Sequence, residues 1–313
     1  MSAAPKISVV IPVYNGARYL PECLDSILAQ NFRDLEILIS DDGSTDGTGA
    51  IIERYAAQDP RIRWWKNPIN LGLTRNHNYC LRQAEGDFIK FVHQDDKLLH
   101  PSVLGRMVNL LEQDESVSLV GTGSELIDAE SRVLEVRNNF VTSGTYDGMD
   151  TIVKCLAANQ NLIGEPTAVL FRHHQSGRGF DERYRQIVDL EFWFHLLEQG
   201  RFAYLAEPLF AYRVHDQQAT VTHHRTKVAK DENLQLFTDY QHKPWLKEHA
   251  IRQMWFRQIY DLRKKYGARG RQVAAPAMAQ IKPFWYALFW LRHKLCNPFV
   301  KLKKRIFRLL TGS

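Results

Sequence analysis

Through the first part of the chain, short continuous apolar runs alternate with longer segments whose apolar residues recur at helical spacing. The apolar runs Ile7 to Val13, Leu35 to Ser40, Ile62 to Lys66, Phe88 to Val92 and Val117 to Gly121 read as strands. The intervening segments Leu20 to Gln30, Asp46 to Ala57, Thr74 to Ala84 and Pro101 to Gln113 read as helices. Asp46 is placed to cap one helix and Pro101 to open another. Such alternation predicts an α/β fold with a mostly parallel sheet flanked by helices. After Ser124 the pattern becomes irregular. A helix around Asp189 to Gln199 and strands Phe202 to Leu205 and Leu209 to Val214 are still expected, and from Thr226 the chain reads as helical and polar. With no internal repeat or low-complexity linker, the expected division is an α/β region over 1–225 and a helical region over 226–313.

Two acidic clusters directly follow predicted strands: Asp41-Asp42-Gly43-Ser44-Thr45-Asp46, and His93-Gln94-Asp95-Asp96. In open α/β sheets ligands bind at the carboxyl ends of strands, so both clusters are expected to face one crevice. Carboxylates there suit a hard divalent cation and a nucleotide diphosphate. Asp42 is suited to accept hydrogen bonds from a base or ribose, and the Arg75 guanidinium to meet a phosphate or carbonyl. Taken alone, Asp-Asp-Gly-Ser is an ordinary turn sequence.

Charge changes the picture only at the C-terminus. The 313 residues carry a formal net charge of +6, but eight Lys/Arg and no Asp/Glu fall in 281–313, leaving 33 basic against 35 acidic residues over 1–280. The same segment holds Phe284, Trp285, Tyr286, Phe289 and Trp290, then the run Lys301 to Arg308. Its apolar stretch, Pro283 to Leu291, is well short of the ~20 residues that span a bilayer. The tail therefore reads as a basic amphipathic segment lying on an anionic membrane surface, the alternative being that its aromatics pack as a lid or dimer interface. Its dense aromatics argue against nucleic acid as the partner. Cys23, Cys80, Cys155 and Cys296 form no CxxC pair, so neither a zinc site nor a disulfide framework is indicated. No secretory signal pattern precedes the first strand, and a cytoplasmic location on the inner face of the membrane is expected.

The segments Ile7-Ser8-Val9-Val10-Ile11-Pro12-Val13-Tyr14-Asn15-Gly16, Asp41 to Asp46, Asn70-Leu71-Gly72-Leu73-Thr74-Arg75-Asn76 and the Asp95-Asp96 strand end, in that order, resemble family 2 of the glycosyltransferases, which have the GT-A fold. The resemblance covers roughly residues 5 to 220 and is far more specific than any single motif. It implies inverting transfer of a sugar from a nucleotide diphosphate, assisted by Mg²⁺ or Mn²⁺, and a UDP-sugar is the expected donor. By resemblance, Pro12, Tyr14, Asp42 and Arg75 bind the nucleotide, Asp95 holds the metal with Asp96 sharing that role, and His215 lies near the diphosphate and metal. The catalytic Asp falls in the segment of Asp189, whose competing reading is a helix-terminal charge. Where the family usually has Asp-x-Asp, this chain has His93 at the first position. That histidine reads as a metal ligand, a ribose contact or a packing residue. Glu165 reads as an acceptor contact or a loop support, and Trp193 as a sugar platform or a core residue.

The expected activity is transfer of one sugar to a surface glycan or lipid-linked acceptor, since the Gln-x-x-Arg-Trp motif of processive relatives is missing. Two alternatives stand beside it. A nucleotidyltransferase making nucleotide sugars requires a glycine-rich phosphate loop near the N-terminus, which the sequence lacks. A non-catalytic membrane-surface scaffold with a degenerate transferase domain is suggested by His93 and the tail.

Overall fold

The computed structural model describes residues 4–216, 228–266 and 283–291. The chain opens with β1 (Ile7–Val13), α1 (Leu20–Leu28), β2 (Leu35–Asp41), α2 (Thr48–Ala56), β3 (Ile62–Lys66), α3 (Leu73–Gln83) and β4 (Phe88–Phe91). There follow β5 (Lys97–Leu98), α4 (Val103–Gln113), β6 (Val117–Ile127), β7 (Val133–Arg137), β8 (Gly144–Tyr146) and α5 (Gly148–Ala158). β9 (Leu170–Arg172), α6 (Val188–Leu197), β10 (Arg201–Arg213), α7 (Val228–Tyr240) and α8 (Glu248–Tyr266) complete the order, with a further helix, α9, at 283–291.

The strands form one sheet in the order β3-β2-β1-β4-β9-β6-β10-β5, with β7 paired to β6 and β8 to β10. β1 is parallel to both β2 and β4, with Ile7 opposite Leu35 on one side and Phe88 on the other. All seven β1 residues are buried, the expected signature of a central parallel strand covered on both faces. From β1 the chain moves outward to β2 and β3, then returns to β4 on the opposite side of β1. This is a topological switch point, where an open sheet leaves a crevice at its strand ends.

Pro12 helps to open that crevice. The Val10 carbonyl accepts the Val92 N–H on the β4 side, and Pro12, two residues on, faces the same side beyond the last β1–β4 pair, Val10 with Phe91. A missing N–H is tolerated where the ladder has ended.

Later in the chain the pattern was harder to read. β6 continues to Ile127 past Gly121 and Gly123, where the glycines interrupt the apolar run. They do so because a Cβ on Gly121 would sit 2.8 Å from the Phe202 ring of neighbouring β10. The two strands expected over 202–214 are one, β10, with register shifts on either side of Pro208. β9 has only three residues and inserts antiparallel between β4 and β6; so short a segment has no period of its own.

The chain divides into two compact units, 1–155 with 161–233, and 156–160 with 234–313. In the second, Trp255 on α8 packs edge-on to Phe237 on α7 at 4.6 Å, and Gln258 donates to Asn159 at 2.9 Å. Phe256 meets Tyr286 and Phe289 of α9, and Arg252 lies over Trp285. The α9 aromatics are therefore divided: one face packs on α8, while Phe284, Leu288 and Leu291 are exposed. Residues 281, 282 and 292–313, including the basic run, lie outside the described residues. No helix among the described residues is long and apolar enough to cross a membrane.

Candidate active site

The first cluster, at the end of β2, is built from hydrogen bonds. Asp41 Oδ1 accepts the Ser44 N–H at 2.8 Å. Asp42 Oδ1 accepts from Leu71 N–H at 2.8 Å and Asn67 Nδ2 at 2.9 Å, and Oδ2 accepts Gly72 N–H at 2.9 Å. Gly43 has φ +79° and Gly72 φ +80°, conformations that an L side chain resists. Asp42 is thereby 3% exposed and shapes the 67–72 loop leading into α3. Asp46 does not occupy the position flanking α2, which is Gly47. Its carboxylate nevertheless accepts the Thr48 and Ala17 N–H groups, so it ties the turn after β1 to the start of α2. Tyr14 is half exposed, and its backbone N–H and carbonyl are both bound by the Gln94 side chain. Pro12 is buried at the end of β1.

The second cluster, after β4, crowds charge together. One ligand atom from each of His93, Asp95 and Asp96 lies within 4.8 Å of the others. Asp96 is 1% exposed. Its oxygens accept from Thr167 Oγ1 at 2.5 Å and Arg213 N–H at 3.1 Å, yet burial, and next the Asp95 charge, push its carboxyl well above the usual range. Burial also works to raise Asp95, but the hydrogen bond from His215 Nε2, 3.0 Å from Oδ2, and the nearby imidazoles outweigh it and hold this group below its ordinary value. Two adjacent buried carboxylates that cannot both ionise comfortably, beside an imidazole, are a donor set that a divalent cation would relieve. The residues fit a metal, with His93 joining the expected Asp95 and Asp96, and with His215 held against Asp95.

The state of His93 follows from its neighbour. His77 Nδ1 lies 2.7 Å from the Leu73 carbonyl, which can only accept, so Nδ1 carries the proton and Nε2 is bare. His93 Nε2 is 3.3 Å from His77 Nε2, so the proton between them belongs to His93. Its Nδ1 is left with a lone pair, the form a metal ligand needs. Burial in the Phe91–Phe180 aromatic nest pushes His77 down to about 3, so it stays neutral.

Beneath the cluster, Lys90 of β4 is 1% exposed and donates to the Thr167 and Val169 carbonyls. Burial lowers it to about 7, opposed by Asp96. Thr167 accepts the His93 N–H while donating to Asp96, locking the loop 164–169 to the strand end. Arg213, also 1% exposed, reaches the Asp95 carbonyl, Ser131 and Glu22.

Asp189 stands in the first turn of α6. Asn161 Nδ2 donates to its Oδ2 at 3.1 Å. Desolvation pushes its carboxyl up to about 7, with the Glu165 charge contributing in the same direction. Asn161 also donates to the Gly164 carbonyl, and Thr167, three residues on, donates to Asp96, so the loop 161–167 ties Asp189 to the Asp95–Asp96 cluster. Trp193 is not a platform for a sugar: it is fully buried among Phe171, Phe180 and Phe192, with its indole N–H on the Gly164 carbonyl at 3.0 Å. The core reading holds, because α6 buries this face against β9 and the 180 loop. Arg75 is exposed and paired with Glu182 at 2.9 Å. His77, Lys90, Asn161 and Thr167 were not singled out from sequence for any role. His77 and Lys90 lie inside a predicted helix and a predicted strand, where nothing marks them from their neighbours, and Asn161 and Thr167 lie in the irregular stretch after Ser124.

Residues 8–156 match the family model "Glycosyl transferase family 2". EpsE of Bacillus subtilis (strain 168), assigned by name to the glycosyltransferases, is 33% identical over 221 residues, which is 68% of this chain and 74% of EpsE. Matches of this kind span 66% to 74% of the relatives' own lengths. Among solved structures, S. aureus TarS 1-349 in complex with UDP-GlcNAc has a TM-score of 0.64 at 19% identity, covering 84% of this chain and 74% of that one. The mannosyltransferase PcManGT from Pyrobaculum calidifontis, in complex with GDP-Man and Mn2+, has a TM-score of 0.61 at 18% identity, covering 97% and 84%. At these identities the structural likeness speaks for the fold, and the sequence matches speak for the family. With acidic clusters at the switch point of a mostly parallel sheet, and with both comparisons agreeing, the chain belongs to glycosyltransferase family 2 and has the GT-A fold.

Proposed function

We propose that this protein is an inverting, metal-assisted glycosyltransferase that moves a single sugar from a nucleotide diphosphate sugar, with uridine the favoured base, to a glycan or lipid-linked acceptor in cell-surface polysaccharide synthesis. One observation carries the reading: the loop 161–167 is bonded both to a strand-end His-Asp-Asp cluster, Thr167 donating to Asp96 at 2.5 Å, and to the carboxylate of Asp189, Asn161 donating to it at 3.1 Å. The donors bound by TarS and PcManGT, UDP-GlcNAc and GDP-Man, support the substrate class.

In this reading the Pro12–Tyr14 segment, Asp42 and Arg75 hold the nucleotide, and His93, Asp95 and Asp96 hold Mg²⁺ or Mn²⁺ with His215 beside them. When bound, the metal supplies Lewis-acid neutralisation of the charge that collects on the leaving diphosphate. Asp189 accepts the proton of the acceptor hydroxyl as its oxygen bonds to the anomeric carbon. On the opposite face the bond from that carbon to the diphosphate oxygen breaks, and its electron pair leaves with the diphosphate, so the configuration inverts. A base titrating near neutral pH is matched to that proton transfer. Glu165 directs acceptor hydroxyls toward Asp189.

The catalytic work is assigned to residues 1–225, and 226–313 to attachment at the membrane. The exposed Phe284, Leu288 and Leu291 and the basic residues beyond them suit a peripheral position on an anionic inner leaflet. Flotation with anionic vesicles tests this: full-length protein should float, and protein truncated before Ile281 should not.

The activity itself is tested by incubating the protein with a panel of UDP- and GDP-sugars and Mn²⁺. Release of the nucleoside diphosphate, with the product of opposite anomeric configuration by NMR, is the expected result. Release of pyrophosphate, or retained configuration, would overturn the proposal.

A further inference from the structure

Glu232, on α7, is buried at 8% exposure although it is a carboxylate. Its Oε1 accepts the Arg185 N–H at 2.8 Å, and its Oε2 accepts the N–H groups of Gln186 at 2.8 Å and Ile187 at 3.1 Å. Three successive backbone donors thus converge on one side chain more than forty positions away in sequence. Successive N–H groups turned to one side form a concave anion site, and such charge-assisted bonds are stronger than neutral ones. Ile187 is the residue flanking α6, and Asp189 lies in its first turn. The N–H groups that Glu232 satisfies therefore belong to the backbone that aims Asp189.

No side chain within α6 does this work. Ile187, at the capping position, has no side-chain acceptor, and the other acid of the first turn, Glu191, is committed to both terminal nitrogens of Arg178 at 2.7 Å. On its other side the loop is tied to α3, where Asn78 exchanges two hydrogen bonds with Phe180 and Thr74 donates to the Tyr184 carbonyl. We infer that Glu232 is a positioning residue for the reaction: it caps α6 from outside and holds the Asp189 carboxylate in register with the acceptor hydroxyl. The inference rests on the reading of Asp189 as the base.

The test uses the full chain with Glu232→Gln, which keeps the shape, and Glu232→Ala, each compared with Asp189→Asn. Amide hydrogen exchange at 185–187 should speed up at least about tenfold in both Glu232 variants, because a buried hydrogen-bonded amide exchanges only when its partner lets go. With the donor that the wild type turns over, kcat should fall by about 10–100-fold, the scale of a misplaced reacting group. The affinity for UDP with Mn²⁺ should stay within about twofold, since no donor contact is touched. Unchanged exchange at 185–187 would overturn the clamp. Faster exchange with wild-type kcat, while Asp189→Asn is slow, would overturn the positioning role. A parallel fall in UDP affinity would make Glu232 a general structural support instead, also overturning it. If Asp189→Asn itself keeps wild-type kcat, the base assignment fails, and the exchange data still report separately on the clamp. Should Glu232→Ala not fold, the near-isosteric Glu232→Gln carries the same comparison.

Discussion

The two Asp-Asp pairs, at the ends of β2 and β4, are alike in sequence, and in each at least three of the four oxygens are hydrogen-bonded, but the groups around them differ. In Asp41-Asp42, three of the four oxygens accept hydrogen bonds, mostly from backbone N–H groups of nearby turns. In Asp95-Asp96, adjacent charge and burial drive one carboxyl well up, and the other is held down by imidazole. The first pair fixes a loop; the second stores charge that a cation can answer. The same division recurs within one turn of α6, where Glu191 is paired bidentately with Arg178, while burial raises Asp189 to about 7 against the Leu190 N–H and the Asn161 amide. Carboxylates tied to turn backbone or to a guanidinium build the scaffold, and those that burial and neighbouring charge move out of their ordinary range are the ones suited to chemistry.

The largest expected effect is at Asp189. Asp189→Asn should lower turnover by about 10²–10⁴-fold, the range for loss of a general base, with UDP affinity retained. Turnover of the wild type should decline about tenfold per pH unit below about 7 as the base protonates, and that limb should vanish in the variant. Stability moves the other way. The folded carboxyl keeps its proton to about pH 7 and the unfolded one only to about pH 4. The stability linked to that proton is full below about pH 4 and is lost as pH rises through about 7. Thermal melts of Asp189→Asn should therefore show a gain over wild type at pH 8 and a smaller one at pH 5.

Asp95→Asn comes next, with an expected loss of about 10²–10³-fold in metal-stimulated turnover, as for removal of one preorganised electrostatic group. Its melting temperature at neutral pH should fall slightly, because the pairing with His215 that holds Asp95 below its ordinary value is lost while the charge beside Asp96 is relieved. A fall as large as that of Asp42→Ala would erase the contrast. His77→Phe fills a similar aromatic volume but frees the His93 tautomer. Mn²⁺ affinity measured by electron paramagnetic resonance should drop about 10–100-fold, the usual cost of losing a group that orients a metal ligand.

At Asp42 the expected effect is on the fold. Asp42→Ala leaves the Leu71 N–H without its acceptor, while Gly72 keeps Asn70 Oδ1, and should cost about 1–3 kcal/mol by denaturant titration, with weaker UDP binding following from the loosened loop and the lost nucleotide contact. The smallest effect is at Glu182, whose ion pair with Arg75 is largely exposed. Glu182→Gln should change stability by under about 1 kcal/mol, and a larger change would mean that this pair anchors the 180 loop.

Much of the first sheet and both clusters was legible in the sequence because each signal is local. A buried parallel strand is a short apolar run, as Ile7–Val13 and Phe88–Phe91 are, and polar residues that follow it must sit at its carboxyl end. β9 and α5 were not legible, since the former is three residues long and pairs only with distant strands. Trp193 was ambiguous for the same reason: an aromatic on a helix has no mark of inside or outside until β9 and the 180 loop are in place around it.

By itself, then, the sequence determined the α/β alternation, the family and the positions of the acidic clusters, all of which depend on residues within a few places of one another. Only the tertiary structure decided which carboxylates burial pushes up and which a partner holds down, which nitrogen of His93 bears the proton, and what braces Asp189. Those outcomes rest on pairs such as Asp42 with Gly72, His77 with His93 and Ile187 with Glu232. Hydrogen bonds and desolvation act over a few ångströms of space, and strand order alone sets which distant residues share them.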